Sequence, residues 1–158
     1  MTGRQRVLLE PAWLLHHRPW SDSSRILELL TRDHGRVTLF ARGVRRSQSA
    51  LRAVLRPFVP LSVSWSGRAD GGTLSAAELA GECRPLPAGR ILSGFYLNEL
   101  LLRLLPREEA QPEIFGAYSA TLEALAGAGG EQEPLRLFEK TLLDQLGYGL
   151  DLAREAGA

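Results

Sequence analysis

The stretch Arg25-Ile26-Leu27-Glu28-Leu29-Leu30-Thr31-Arg32-Asp33-His34-Gly35-Arg36-Val37-Thr38-Leu39-Phe40-Ala41-Arg42 decides the fold class. Its second run, Arg36–Arg42, alternates cleanly. Val37, Leu39 and Ala41 fall on one face, and Arg36, Thr38, Phe40 and Arg42 on the other, the period of two that a strand with one buried face imposes. In the first run, Arg25–Thr31, Ile26 and Leu30 face one way and Leu27 and Leu29 the other. Asp33-His34-Gly35 between them is a turn signal, because glycine adopts positive φ without a steric penalty. Together the two runs predict a β-hairpin.

Further strands lie on both sides of the hairpin. Val7–Leu15 is mainly apolar, and Pro11 within it marks an edge or a bulge. Pro19, Ser21, Asp22, Ser23 and Ser24 predict a loop leading into the hairpin. Pro60–Ser66 alternates again, with Leu61, Val63 and Trp65 opposite Ser62, Ser64 and Ser66. Gly67–Gly72 reads as a turn, and Thr73–Ala80 as a fifth strand. Ala50–Leu55 has the composition of a short helix. Five strands with a helix between the third and fourth is the element order of an OB-fold.

After the break at Pro85–Gly89 the period becomes helical. Ile91–Leu105 is apolar nearly all round, which predicts a central, buried helix ended by Pro106. Pro112 opens a second helix carrying Ile114, Phe115, Tyr118, Leu122 and Leu125. Pro134 opens a third, carrying Leu135, Phe138, Leu142, Leu143 and Leu146, with Gly147 as its cap. The expected architecture is α+β: an N-terminal five-stranded OB-fold β-barrel over residues 1–82, then an α-helical domain over 83–158. That domain is read as incomplete, since three helices this apolar would normally find further partners.

Charge divides along the same line. Residues 1–80 hold twelve arginines, no lysine and six acids, a net of +6. Residues 81–158 hold seven basic residues and twelve acids, a net of −5. The basic half is expected to meet a polyanion. The strongest local feature is the continuation of the third strand, Arg36 to Arg42, through Gly43-Val44 to Arg45-Arg46. If Val37, Leu39 and Ala41 point inward, Arg36 and Arg42 point out. Guanidinium groups suit phosphate because their planar fork donates two parallel hydrogen bonds. Phe40 shares the outward face and can either stack on a base or pack under a loop, and Trp20 in the first loop is open to the same two readings. Trp13 and Trp65 share their faces with apolar neighbours and read as core.

Enzymatic activity is not expected. No phosphate-cradling glycine loop, GxSxG or HExxH occurs. His16 and His17 are adjacent, so in a strand they face opposite ways and cannot chelate one metal. Cys83 is the only cysteine, too few for a disulfide or a usual zinc site, and it favours a reducing cytoplasm. No cofactor and no membrane span are expected.

Several segments, in order, resemble the RecO family of recombination mediators. They are Arg18-Pro19-Trp20-Ser21-Asp22-Ser23-Ser24; Leu30–Val37 followed by Ala41-Arg42-Gly43-Val44-Arg45-Arg46; Leu55-Arg56-Pro57-Phe58; Gly94-Phe95-Tyr96-Leu97-Asn98-Glu99-Leu100 with Leu104-Leu105-Pro106; and Leu137-Phe138-Glu139 through Leu146-Gly147-Tyr148-Gly149-Leu150. The resemblance implies an OB-fold followed by a helical domain. It also implies binding of single- and double-stranded DNA, annealing of complementary strands, and work with RecR to load the RecA recombinase onto DNA coated by single-stranded-DNA-binding protein. The C-terminal tail of that coating protein would dock on the helical domain, and the protein would be cytoplasmic, associated with the nucleoid. Some members carry zinc-binding cysteines beyond the Leu-Gly-Tyr-Gly segment; this sequence has none there. Carried over residue by residue, the family's basic DNA face falls on Arg36, Arg42, Arg45 and Arg46, with Arg25, Arg32, Arg52 and Arg56 as weaker candidates. The competing reading is a protein-interaction module of a recombination complex, in which the arginines meet carboxylates and DNA is not bound.

Overall fold

A single extended segment, Gln5–Pro19, forms β1, and its length organises the first half of the molecule. The computed structural model describes residues 5–44 and 49–147. β2 (Arg25–Thr31), β3 (Gly35–Ala41), β4 (Pro60–Gly67) and β5 (Gly72–Leu79) join β1 in a closed barrel, ordered β1-β2-β3-β5-β4. The first half of β1 pairs with β4, from Gln5 opposite Gly67 to Trp13 opposite Pro60. The second half pairs with β2, from Ala12 opposite Thr31 to Pro19 opposite Arg25. One strand can serve both partners only by bending, and irregularities at Val7–Glu10 and Leu14–His16 supply the bend. Leu9, in the first of these, sits at φ 53°, and its N–H donates to Ser64 Oγ at 3.0 Å.

Closure falls on a short parallel seam, Leu39 opposite Gly72 and Phe40 opposite Thr73. The Thr38 N–H donates to the Ala69 carbonyl at 2.8 Å beside it. Gly72 is required here, because a Cβ would stand 2.5 Å from the Arg68 carbonyl oxygen and 2.7 Å from that of Ser66. The short helix α1 (Ala50–Val54) lies against the barrel, with Leu51 and Val54 packed on its core. That core holds the inward faces expected from the alternation: Leu27, Leu29, Val37, Leu39, Ala41, Leu61, Val63 and Trp65 are all buried.

A second core lies on the outside of the barrel. Leu15 and Leu30, pointing outward, are buried with residues of α2 (Ile91–Leu104), α3 (Pro112–Ala126) and α4 (Gln132–Gln145). Tyr118, Leu122, Phe138 and Leu142 are its main helical members. Each such buried side chain contributes roughly 1.5–3 kcal/mol. The barrel wall is therefore also one wall of the helical core. Pro134 lies in the first turn of α4 rather than at its start; its missing N–H falls where a helix has no internal acceptor.

One expectation fails in this half. α2 is not buried all round. It buries Gly94, Leu97, Asn98 and Leu101, and leaves Leu92 82%, Phe95 46% and Leu104 41% exposed. A helix lying across a barrel wall turns only one face to it, whatever the composition of the other. Several polar groups at this junction are paired. Asn98 Nδ2 donates to the Leu15 carbonyl at 3.3 Å, Tyr118 Oη donates to Asn98 Oδ1 at 2.5 Å, and Trp13 Nε1 donates to Ser119 Oγ at 2.9 Å. Burial pushes the Tyr118 hydroxyl far above its ordinary value, so it remains a neutral donor.

The connection from α2 to α3 crosses the β2–β3 turn. Arg107 forms an isolated bridge with Arg36, and the Glu108 N–H donates to the Arg36 carbonyl at 3.0 Å. Gly35 sits beneath it at φ 69°, where a Cβ would stand 2.2 Å from the Glu109 carbonyl oxygen. Gly35→Ala combines left-handed strain with a backbone clash, and we expect a loss of about 2–4 kcal/mol in urea unfolding. Gly116→Ala should have the opposite sign. Gly116 is helical and a Cβ there meets nothing within 4 Å, so a gain of up to about 1 kcal/mol is expected in the same measurement.

Candidate nucleic-acid interface

Strand register sorts the outer face of the barrel into three strips, because residues directly paired across a ladder share a face. The first runs Trp13, Leu30, Arg36; the second His16, Glu28, Thr38; the third Arg18, Ile26, Phe40, Thr73. The helices take the first strip, where Leu30 is fully buried and Trp13 half-buried. The third strip stands at the opposite end of β2 and β3. There Pro19, Arg25 and Ala41 are in register, which brings together the ends of β1 and β3 and the start of β2. Trp20 and Arg42 follow directly from these ends.

Arg36 does not join that end, which corrects the expectation of an outward, phosphate-facing side chain. It does leave the barrel interior, as the alternation required, but the space outside is occupied by α2. Arg36 is 8% exposed. Its Nη1 donates to the Leu102 carbonyl at 2.5 Å, one of the last carbonyls of α2 and so without an acceptor role inside the helix. Its Nε stands 3.8 Å from Glu28 Oε2. Glu28 Oε1 also accepts from Thr38 Oγ1 at 2.9 Å and pairs with Arg107 Nη2 at 3.2 Å. Burial pushes the Arg36 guanidinium down, Glu28 opposes this, and Arg107 adds to it. Arg36 is thus a tie between barrel and helices, aided by the negative end of the α2 dipole.

The remaining arginines divide by partner. Arg32 pairs with Asp33 at 3.0 Å on the β2–β3 turn, at the end of the barrel away from Arg42. Arg68 pairs with Asp70, Arg103 with Glu99, and Arg136 with Glu139. Arg90 donates to the Leu125 carbonyl at the end of α3. By contrast, Arg6, Arg18, Arg25, Arg42, Arg52, Arg56 and Arg84 have no carboxylate partner among the described residues. All but the half-buried Arg25 are exposed. Arg45 and Arg46 lie outside the described residues.

Phe40 is half-buried on the third strip, and Trp20 is 62% exposed beside it, the ring centroids 5.3 Å apart and 65° from parallel. Trp65 is fully in the barrel core and Trp13 packs edge-on to Tyr118 at 5.6 Å, as their apolar faces predicted. His17 is held below its ordinary value by burial first, then by the Arg25 and His16 charges, so it adds no cation at neutral pH. Sequence reasoning missed the Glu28–Arg36–Arg107 cluster. Its only signal was Glu28 opposite Thr38, one acid on an outward face that was otherwise apolar in that run. Among the described residues, no three His, Cys, Asp or Glu side chains come together as metal ligands, and no helix is long and apolar enough to cross a membrane.

A closed OB barrel with a helical domain docked on its outer wall defines the class of protein. Family models narrow it: Recombination protein O N terminal matches residues 6–82, and Recombination protein O C terminal matches residues 88–157. The chain belongs to the RecO family. It is 50% identical over 151 residues to the DNA repair protein RecO of Methylococcus capsulatus, covering 96% of this chain and 62% of that protein. It is 47% identical to that of Nitrosococcus oceani, with the same coverage, and 47% identical to that of Ralstonia nicotianae, covering 96% and 56%. The chain thus spans about 62% of the length of the first two relatives.

Removing Arg36 should expose its structural role. Arg36→Leu leaves the Leu102 carbonyl unpaired and Glu28 with less countercharge, at a cost of about 2–4 kcal/mol by denaturant unfolding. DNA affinity per folded molecule should stay within about twofold of the parent, since this side chain lies under α2.

Proposed function

We propose that the chain is a non-enzymatic DNA repair and recombination mediator, which binds single- and double-stranded DNA at the Arg42 end of the barrel. The carrying observation is that Arg18, Arg25 and Arg42, none with a carboxylate partner, come together at that end, while the arginines elsewhere are mostly ion-paired. Membership of the RecO family, and relatives that carry the name DNA repair protein, support the same reading. Arg42, Arg18, Arg25, Arg52 and Arg56 would track the phosphate backbone, and Arg45 and Arg46 continue the run in sequence. Arg36 is left out of the contact set. Holding two strands on such a surface screens their repulsion and favours annealing. In this reading the protein works with RecR in the cytoplasm, at the nucleoid, helping to load recombinase onto DNA coated by single-stranded-DNA-binding protein. The groove between α3 and α4, lined by Ala117, Ala120, Ala124, Leu137 and Phe138, is the apolar surface available to that protein's tail.

A protein-interaction role without DNA binding is favoured by one observation, the exposed apolar residues Leu92, Phe95 and Leu137 on the helices. Charge reversal separates the two. Arg45→Glu with Arg46→Glu, and separately Arg42→Glu, should weaken binding of a fluorescent oligonucleotide at least tenfold, read by anisotropy. The parent's affinity should fall steeply with salt, log K losing about 0.7 per phosphate contact for each unit of log salt on a single strand, and the variants' slopes should be shallower. A folded parent that does not bind at low salt, or variants that bind as the parent does, would favour the interaction role.

A further inference from the structure

We propose that Trp20, steadied by Phe40, is a stacking platform for one unpaired base, and that it gives this end of the barrel a preference for single strands over duplex. The proposal rests on the DNA-binding reading and adds what arginine cannot supply. A guanidinium contacts phosphate, and phosphate is the same on a single strand and a duplex. An aromatic face contacts a base, and a duplex keeps its bases stacked on one another.

Three observations carry it. Trp20 is the exposed tryptophan of the chain, at 62%, whereas Trp65 is 1% exposed in the barrel core and Trp13 is half-buried against Tyr118. Leaving so much indole in water forgoes the stabilisation that burial brings. The loop that carries the ring is also held in place. The Trp20 backbone N–H donates to the Ser24 carbonyl at 3.0 Å, and the Ser24 backbone N–H to Ser21 Oγ at 3.2 Å, so the loop is hydrogen-bonded within itself. Phe40 meets the ring edge-to-face at 5.3 Å and is itself fixed on β3 in register with Thr73. Such a contact uses one part of the indole and leaves the rest free. Finally, Trp20 follows Pro19, which is in register with Arg25, and Arg25 with Ala41, next to Arg42. A base on the ring would have the cations of these strand ends available for its flanking phosphates. Phe40 acts here as a positioning residue.

Three probes of equal length test this by anisotropy: a thymidine oligonucleotide, the same sugar-phosphate chain with its bases removed, and a blunt duplex. The parent should bind the thymidine strand more tightly than the other two. Trp20→Ala, an exposed position whose loss should leave the melting temperature unchanged, should weaken the thymidine strand by about 5- to 150-fold. It should leave the base-free chain and the duplex within about twofold. Arg42→Ala should weaken all three alike. Tryptophan fluorescence of the parent should quench on adding the thymidine strand, and Trp20→Phe should abolish the quench. Equal losses on all three probes, or no loss with Trp20→Ala, would overturn the platform while leaving DNA binding intact, and would assign the ring to a protein surface. A folded parent that binds none of the probes would overturn the DNA-binding reading itself, and the platform with it.

Discussion

Everything else in this molecule is arranged around the guanidinium of Arg36 buried between β3 and the end of α2. Burying an arginine is costly, and three things offset the cost: the unpaired carbonyl of Leu102, the carboxylate of Glu28, and the negative end of a helix dipole. The junction beside it leaves no room for alternatives. Glu109 lies so close to Gly35 that no side chain fits, and the Arg36 carbonyl is taken by the Glu108 N–H. Once α2 is tied there, Leu15 and Leu30 become core rather than surface, and the helices must cover the Trp13–Leu30–Arg36 strip. The third strip stays open for the same reason.

Arginine therefore has two uses in one chain. Where a carboxylate or a helix end is near, it is consumed internally, as with Arg36 and Glu28, Arg32 and Asp33, or Arg90 and the α3 terminus. Where neither is near, it remains a free cation. The twelve arginines of the first half overstate the cations that can meet a polyanion, because several are already paired with its acids. Of the unpaired ones, Arg18, Arg25 and Arg42 lie around the ends of β1 and β3 and the start of β2. The tryptophans divide in the same way: Trp65 fills the barrel, Trp13 seals the helical junction, and Trp20 is left outside beside those cations.

The barrel was legible because its signals are local. Alternation in Arg36–Arg42 placed Val37, Leu39 and Ala41 inside, Asp33-His34-Gly35 marked the turn, and Pro11 marked the bending of β1. Pro112 placed the start of α3. Of the site, Arg42 and Phe40 were legible as outward residues at a strand end, and Trp20 as a loop aromatic. α2 was misread because hydrophobicity says how much a helix could bury, whereas the number of its packed faces depends on what lies beside it.

By itself the sequence determined which residues could be strand, helix or turn and which side of β3 each residue takes, since these follow from backbone geometry over a few neighbours. Only the tertiary structure decided what an outward residue meets. Arg36 and Phe40 share one face of one strand, four residues apart. The first lies under a helix more than sixty positions away in the chain, and the second lies open beside Trp20. That difference is made by the docking of α2 across the barrel wall, a long-range packing event with no counterpart in local periodicity.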